Sequence, residues 1–197
     1  VNGTLNCLKL AKDSGVNRFV FISSSSVYKG ISNTLLKENM HLEPLHPYGV
    51  GKLAGEHYCR IFNDIYNLDT TVLRYFSVYG PRQRGGIEHA GVIAKFIKLC
   101  SENENLPIFG NGNQKRNFSY VSDVVKATLA ASTSLKTIGK VINVASEKEY
   151  KVKDIAQSLI GITKSSSEIV FLEPLQGDPP RNPADVSLAK ELINFET

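Results

Sequence analysis

Nothing in the 197 residues is apolar for long enough to cross a bilayer, and no signal peptide opens the chain. Cysteine is scarce. Cys7, Cys59 and Cys100 stand far apart with no CxxC, which leaves neither a disulfide framework nor a zinc knuckle and fits reduced thiols in a cytoplasmic protein. The four histidines, His41, His46, His57 and His89, fall at no metal-ligand spacing, so no metal is expected. The net charge is only +4, and nowhere do Lys and Arg form a block. That mild excess suits an anionic small ligand; neither nucleic acid nor a membrane is expected as a partner. GxSxG is missing and no His–acid pair can be assigned to a serine, so a serine hydrolase lacks its machinery. There are no repeats and no low-complexity segments.

What is present is an ordinary globular composition, 42% hydrophobic and 21% charged, long enough for one sizeable core or one domain plus an appendage. Residues 2–13 form a helical pattern with Leu5, Leu8, Leu10 and Ala11 on its apolar face, stopped at Ser14-Gly15. RFVFISSSS follows, an apolar run without alternation, as expected of a parallel strand covered on both faces. Residues 29–46 are a polar loop. From Pro47 a helix can run to Tyr66, with Val50, Ala54, His57, Ile61 and Ile65 on one stripe, and TTVLRYF (70–76) is the next buried strand. This alternation predicts a doubly wound, Rossmann-like parallel sheet. Beyond Gly80-Pro81 the pattern gives a helix near 89–101, a short strand, a Gly/Asn turn, a second short strand, and a helix N-capped at Ser122. A strand at 140–145, a helix at 152–160, a strand at 169–172 and a helix at 186–193 complete it.

Two constellations carry chemistry. Tyr48 and Lys52 are four residues apart, which on a helix stacks them one turn apart on one face. An ammonium beside a phenol stabilises the phenolate, giving a general base tunable toward neutral pH. A plain surface Tyr–Lys pair has the same spacing. The second is the run Ser23–Ser26 at the carboxyl end of a predicted strand, where ligands of open α/β sheets sit. A polar turn is the alternative there.

A strand ending in SSSSVY, a loop, and PYGVGK opening a helix together resemble the extended short-chain dehydrogenase/reductase family, and within it the nucleotide-sugar epimerases of the UDP-glucose 4-epimerase kind. VLRYFSVYGPRQ, the GNGNQKRNFSYVSDVV block, INVASEKEY and GDPPRNPADVSLAKEL extend the likeness, in order, over nearly the whole chain. The resemblance implies NAD as cofactor and a nucleotide sugar as substrate, epimerised at C4 through a transient keto sugar. It implies Tyr48 as base and acid, Lys52 as its pKa-lowering partner and ribose ligand, and Ser24 as hydrogen-bond partner of the reacting oxygen. It further implies Ser25 in the same pocket, Phe76 near the nicotinamide, Ser77 against the nucleotide sugar, Arg116 at the substrate diphosphate, and Asp178 and Arg181 at the nucleotide-sugar end. A homodimer through helices 2–13 and 47–66 is also implied.

This chain departs from the family pattern at several positions. Ser77 stands where the family usually has Asn, Asn117 where Asp follows the Arg, and Leu175 and Pro180 where Arg is common. Asn182 falls at the sugar-gate position, and a residue smaller than Tyr there leans the reading toward UDP-N-acetylhexosamines. Related 4,6-dehydratases carry an Asp-Glu pair where Ser25 and Ser26 stand, so elimination lacks its acid. Gly49, Gly51 and Gly55 are at the wrong spacing for a dinucleotide loop; close approach of a cofactor or a neighbouring element is the expected reason for glycine inside a helix.

The family's Gly-rich turn after a first strand is absent, and the chain opens with Val and a helix. The expectation is therefore an N-terminally truncated Rossmann unit. Residues 1–80, with 120–145 returning to it, would form its C-terminal half, and 81–119 and 146–197 a small α+β substrate-binding part. RFVFIS would be left as an apolar edge, and the chain alone would bind NAD weakly. The alternatives are another extended short-chain nucleotide-sugar oxidoreductase or a catalytically silent, dimerising fragment.

Overall fold

The first strand forms where bulky apolar residues crowd together and stops where small hydroxyl residues begin. In the computed structural model, which describes residues 1–29, 34–86, 90–174 and 182–197, β1 spans Arg18–Ser24 and a single 3-10 turn, Ser25–Val27, follows it. Helix α1 (Asn2–Asp13) precedes it, and α2 (Pro47–Tyr66) starts with Pro47 in its first turn and ends at Asn67 in the left-handed conformation, a common helix stop. Strand β2 (Asp69–Tyr75) lies parallel to β1 in the register Arg18 to Asp69 through Ser24 to Tyr75.

The short elements follow: β3 (Val78–Tyr79), α3 (Val92–Ser101), β4 (Leu106–Phe109), β5 (Lys115–Asn117), β6 (Ser119–Tyr120), α4 (Val121–Thr133), β7 (Val141–Val144), β8 (Glu149–Lys151), α5 (Val152–Thr163), β9 (Ile169–Leu172) and α6 (Ser187–Ile193). β7 returns parallel to β2, giving a three-stranded sheet in the order β1-β2-β7. Helices α1 and α2 cover one face, packing Leu8, Ala11, Cys59 and Phe62 against Val72. On the other, α4 and α6 bury Val124, Ala127, Ala131 and Ala189 against Leu73, Ile142 and Val144. This is the layered parallel α/β arrangement expected from a strand buried on both faces. The two threonines of β2 fit a doubly covered strand because their hydroxyls are bonded: Thr70 donates to the Cys59 carbonyl and Thr71 to the Thr137 carbonyl, both at 2.9 Å.

A second, smaller core lies beside the sheet. Phe96, Cys100, Leu106, Ile108, Val152 and Ala156 come together between α3, α5 and the parallel pair β4–β9. β5 pairs antiparallel with β8, and β3 pairs parallel with β6 between the two cores.

The differences from the sequence reading have local causes. β4 and β5, which look like consecutive arms of a hairpin, each pair with a distant strand instead. Helix α4 is capped by Tyr120 rather than Ser122, whose hydroxyl bonds the Asp123 carboxylate at 3.3 Å. Leu10 is 67% exposed, because at about 100° per residue it falls off the stripe made by Leu5, Leu8 and Ala11. On α2, the Val50–Ile65 stripe is the outward one; the buried face is Gly49, Gly55, Glu56, Cys59 and Phe62. Two of the helix glycines owe their place to a neighbouring element: a Cβ on Gly49 would meet the Ser26 carbonyl oxygen at 2.3 Å, and one on Gly55 the Phe21 ring at 2.3 Å. Gly51 faces open space, with nothing nearer than 4.0 Å.

Candidate active site

Because Gly49 lets α2 start directly against the Ser26 backbone, the first turn of that helix stands over the carboxyl end of β1. Lys52 reaches down from it. Its Nζ donates to the Ile22 carbonyl oxygen at 2.7 Å and lies 5.3 Å from the Phe21 ring centroid and 5.7 Å from that of Tyr48. Burial pushes the Lys52 ammonium below the ordinary lysine range. Tyr48 itself is 59% exposed, its ring outside the core and one helical turn from the ammonium. An ammonium carries three donors, and the Ile22 carbonyl takes one of them.

Two residues beyond Ile22, Ser24 is half-buried, and its hydroxyl accepts the Ser26 amide at 3.1 Å and donates to Ser26 Oγ at 3.2 Å. The serine run is therefore a capped 3-10 turn with Ser24 at its head and Ser25 half-buried beside it. Tyr48, Lys52 and Ser24 are brought to one end of one strand. Phe76 is placed differently. It is buried at 4% exposure in a cluster with Val27, Tyr28, Ala145 and Val186, its ring turned into the protein.

Ser77 and Arg116 meet elsewhere, in a cleft of about 370 Å³ between the two cores, whose walls include Tyr79, Gln83, Phe109 and Gln114. Ser77 has φ 38, in the left-handed region that side chains other than Gly, Asn and Asp seldom occupy. Asn117, next to Arg116, is buried and donates from Nδ2 to the Ser146 carbonyl at 2.7 Å, a bond that a carboxylate could not make. Asn182 is buried, and its Nδ2 has no partner among the described residues. Asp178, Arg181, Leu175 and Pro180 lie outside the described residues. Among those described, no group of His, Cys, Asp and Glu is arranged to hold a metal, and no helix is long and apolar enough to cross a membrane. All three cysteines are free thiols.

One buried feature escaped the sequence reading. Arg74 and Glu56, 3% and 5% exposed at their side chains, form a bidentate ion pair under this strand end. Burial opposes the Arg74 charge and is the largest single influence, but the hydrogen bonds and charge interactions with Glu56 and Tyr28 together outweigh it and raise the Arg74 pKa. Tyr28, against the same guanidinium, is pushed up by burial. The available signal was an arginine inside a strand otherwise read as buried on both faces, where an unpaired charge could not stay.

The profile of the NAD dependent epimerase/dehydratase family matches residues 1–145. The chain belongs to that family. Within it, the chain is 37% identical over 201 residues to the UDP-glucuronate 4-epimerase of Thermodesulfobacterium geofontis, covering 100% of this chain and 59% of that one. Among solved structures it is similar to the UDP-glucuronic acid 4-epimerase of Bacillus cereus in complex with UDP-glucuronic acid and NAD, at 36% identity and TM-score 0.89, covering 98% of this chain and 60% of that one. It is also similar to the UDP-N-acetylglucosamine 4-epimerase of Methanobrevibacter ruminantium M1 in complex with UDP-N-acetylmuramic acid, at 32% identity and TM-score 0.93, covering 100% and 62%. This member of the epimerase/dehydratase family thus spans about three fifths of the length of the curated relatives it matches.

Proposed function

We propose that the chain is the catalytic part of an NAD-dependent nucleotide-sugar 4-epimerase. The observation that carries the reading is the stack of Tyr48 over Lys52, with the ammonium tied to the strand that ends in Ser24. Solved relatives named as UDP-sugar 4-epimerases, one of them holding NAD, support it.

The residues present fit one end of the cofactor. Lys52 has donors left for a ribose hydroxyl, and the exposed Tyr48 ring stands beside it. NAD, when bound, supplies the hydride acceptor and donor for the sugar carbon. Tyr48 removes the proton of the sugar hydroxyl and later returns it. Lys52, itself disfavoured as a cation by burial, stabilises the phenolate from 5.7 Å off the centre of the Tyr48 ring. Ser24 orients the reacting oxygen, with Ser25 at the same turn. The cleft that holds Ser77 and Arg116 takes the nucleotide diphosphate, and its binding energy retains the keto sugar while the ring turns to present its other face. Asp178 and Arg181 belong to the sugar end in this reading, and Phe76 backs the nicotinamide end from inside the core. Asn182 Nδ2, without a partner among the described residues, leaves a donor for an acyl oxygen, in keeping with a UDP-N-acetylhexosamine.

Elimination is disfavoured, since Ser25 and Ser26 supply no carboxylate. The division into a Rossmann half (1–80 with 120–145) and a substrate part (81–119 and 146–197) belongs to this reading, as do a cytoplasmic location and a homodimer. For the dimer, the outward stripe of Val50, Ile61 and Ile65 on α2, with Leu10 on α1, offers an apolar surface, and Ile65→Glu is expected to yield a monomer in sedimentation.

The deciding experiment uses the full-length protein carrying a dinucleotide-binding half, NAD, and UDP-hexoses or UDP-N-acetylhexosamines, with products resolved by NMR. Epimer formation that needs no NADPH, and a loss of about 10²–10⁴-fold in Tyr48→Phe, is expected. A product reduced only when NADPH is added would make the protein a reductase. Turnover of UDP-glucose without UDP-N-acetylglucosamine would remove the assignment of Asn182. Tight stoichiometric NAD on the 197-residue chain alone would contradict the placement of the cofactor's other end outside these residues.

A further inference from the structure

Under the strand end a chain of buried polar groups joins every element that carries a candidate catalytic residue. Ser23 Oγ donates to Glu56 Oε1. Arg74 Nε and Nη2 donate to the two Glu56 oxygens at 3.0 and 2.7 Å, and Arg74 Nη1 donates to Tyr28 Oη at 2.7 Å and to the Glu38 carbonyl at 3.2 Å. Tyr28 Oη in turn donates to Asn143 Oδ1 at 2.8 Å, and Asn143 Nδ2 donates to the carbonyls of Leu36 at 2.8 Å and Asp185 at 3.3 Å. All three strands of the sheet take part, through Ser23, Arg74 and Asn143, and α2 takes part through Glu56.

Four members are near neighbours of a site residue in the sequence. Ser23 precedes Ser24, Glu56 is one helical turn past Lys52, Arg74 is three before Ser77, and Asp185 is three past Asn182. Ser23, Tyr28, Glu56, Arg74 and Asn143 are all buried, so they act on a substrate only through those neighbours. Stability alone is a poor reason to keep such a network, since replacing a buried ion pair by apolar groups of similar volume is often neutral or favourable. What a bidentate guanidinium–carboxylate fork supplies that an apolar contact does not is a fixed direction and distance.

We propose that Glu56 and Arg74 are a positioning pair: the fork locks α2 to β1 and β2, and so sets the gap between Tyr48 and Lys52 on the helix and Ser24 on the strand. The proposal rests on the epimerase reading, and it explains why a charged pair sits in the core directly below that gap.

The test uses the full-length protein. Arg74→Lys keeps the charge but loses the fork; it is expected to fold and to lose about 10-fold or more in kcat, on the scale set by misplacing reacting groups by a fraction of an ångström. KM for the UDP-sugar should stay within about threefold, because the walls of the nucleotide cleft include Tyr79, Phe109 and Gln114, which lie on other segments than Ser23, Glu56, Arg74 and Asn143. The double variant Glu56→Met/Arg74→Met is expected to regain most of the Tm lost by Glu56→Met while its kcat stays low. A double variant that regains kcat together with Tm would show the pair to be merely structural, and a folded Arg74→Lys with parental kcat would overturn the proposal even if the double variant fails to fold. One readout is independent of turnover: the 19F resonance of 3-fluorotyrosine placed at position 48 should shift or broaden in Arg74→Lys. An unmoved resonance overturns the positioning role, whereas a parent protein inactive on every UDP-sugar overturns the epimerase reading and leaves this arm standing.

Discussion

The closest approach in the site is made by a missing side chain, and it can be tested with one carbon. An alanine Cβ at position 49 would lie 2.3 Å from the Ser26 carbonyl oxygen and 2.9 Å from Pro44 Cβ, squeezed from two sides. To restore ordinary contact, the start of α2 and the 3-10 turn must part by about 1 Å. In an unhindered helix, Gly→Ala stabilises by up to about 1 kcal/mol, whereas forcing a methyl into a filled contact costs about 1–3 kcal/mol. The net expectation is a loss of up to about 2 kcal/mol, a fall in Tm of a few degrees. The activity effect is larger. The same opening moves Tyr48 and Lys52 away from Ser24, and about 1 Å of misplacement can lower kcat by about 10²-fold. Gly161 of α5 is the control: it is exposed with nothing within 4 Å, so Gly161→Ala should raise Tm slightly and leave kcat unchanged. Gly55→Ala should be milder than Gly49→Ala, because its obstacle is the tip of the Phe21 ring rather than backbone. Thermal unfolding and steady-state epimerisation of the full-length protein read all three. A Gly49→Ala protein that melts at or above the parent with kcat within threefold would refute the reasoning.

Four further outcomes follow from single sites. Ser77→Asn should relieve about 1 kcal/mol of left-handed backbone strain, raise Tm and tighten binding of UDP by calorimetry; Ser77→Gly should match the stability gain without the tighter binding. Asn117→Asp should destabilise by about 1–3 kcal/mol in urea unfolding, since it sets a carboxylate against the Ser146 carbonyl that Nδ2 now satisfies. Lys52 has a depressed pKa in the folded state, so its contribution to stability is fully present only above the unfolded value near 10.4 and is lost as pH falls through the folded one. The Tm advantage of Lys52→Met over the parent should therefore be greatest near pH 7 and shrink toward pH 10, and a difference that grows with pH would contradict it. Burial, aided by Glu56, pushes the Cys59 thiol up to about 12, so a thiol reagent at pH 8 should label exposed Cys7 and leave Cys59 untouched until the protein unfolds.

What the sequence made legible is what short-range rules govern. The start of α2 follows from Pro47, and β1 and β2 follow from apolar runs without alternation. The Tyr48–Lys52 stack needed only a four-residue spacing on a helix. Pairings set at a distance were not legible. β4 and β9 lie in register from Leu106 with Ile169, and nothing near either strand names the other. The outward stripe of α2 is as regular as its buried face, and periodicity alone could not say which side meets the sheet, because glycine and a paired glutamate give the buried side its character.

Beside Cys59 and Phe62, the inner face of α2 carries Gly49, Gly55 and Glu56, residues a hydrophobicity pattern scores as poorly suited to a core. Each is there for geometry. Gly49 admits the Ser26 backbone, Gly55 admits the Phe21 ring, and Glu56 receives both Ser23 and the Arg74 fork. A helix selected only for stability would carry leucine or alanine on that face, and each glycine inside it gives up about 1 kcal/mol relative to alanine. The face is explained if its purpose is to hold the first turn of α2 at a fixed height over the end of β1, so that in the proposed reaction the phenol, with the ammonium beside it, and the serine hydroxyl reach one sugar oxygen.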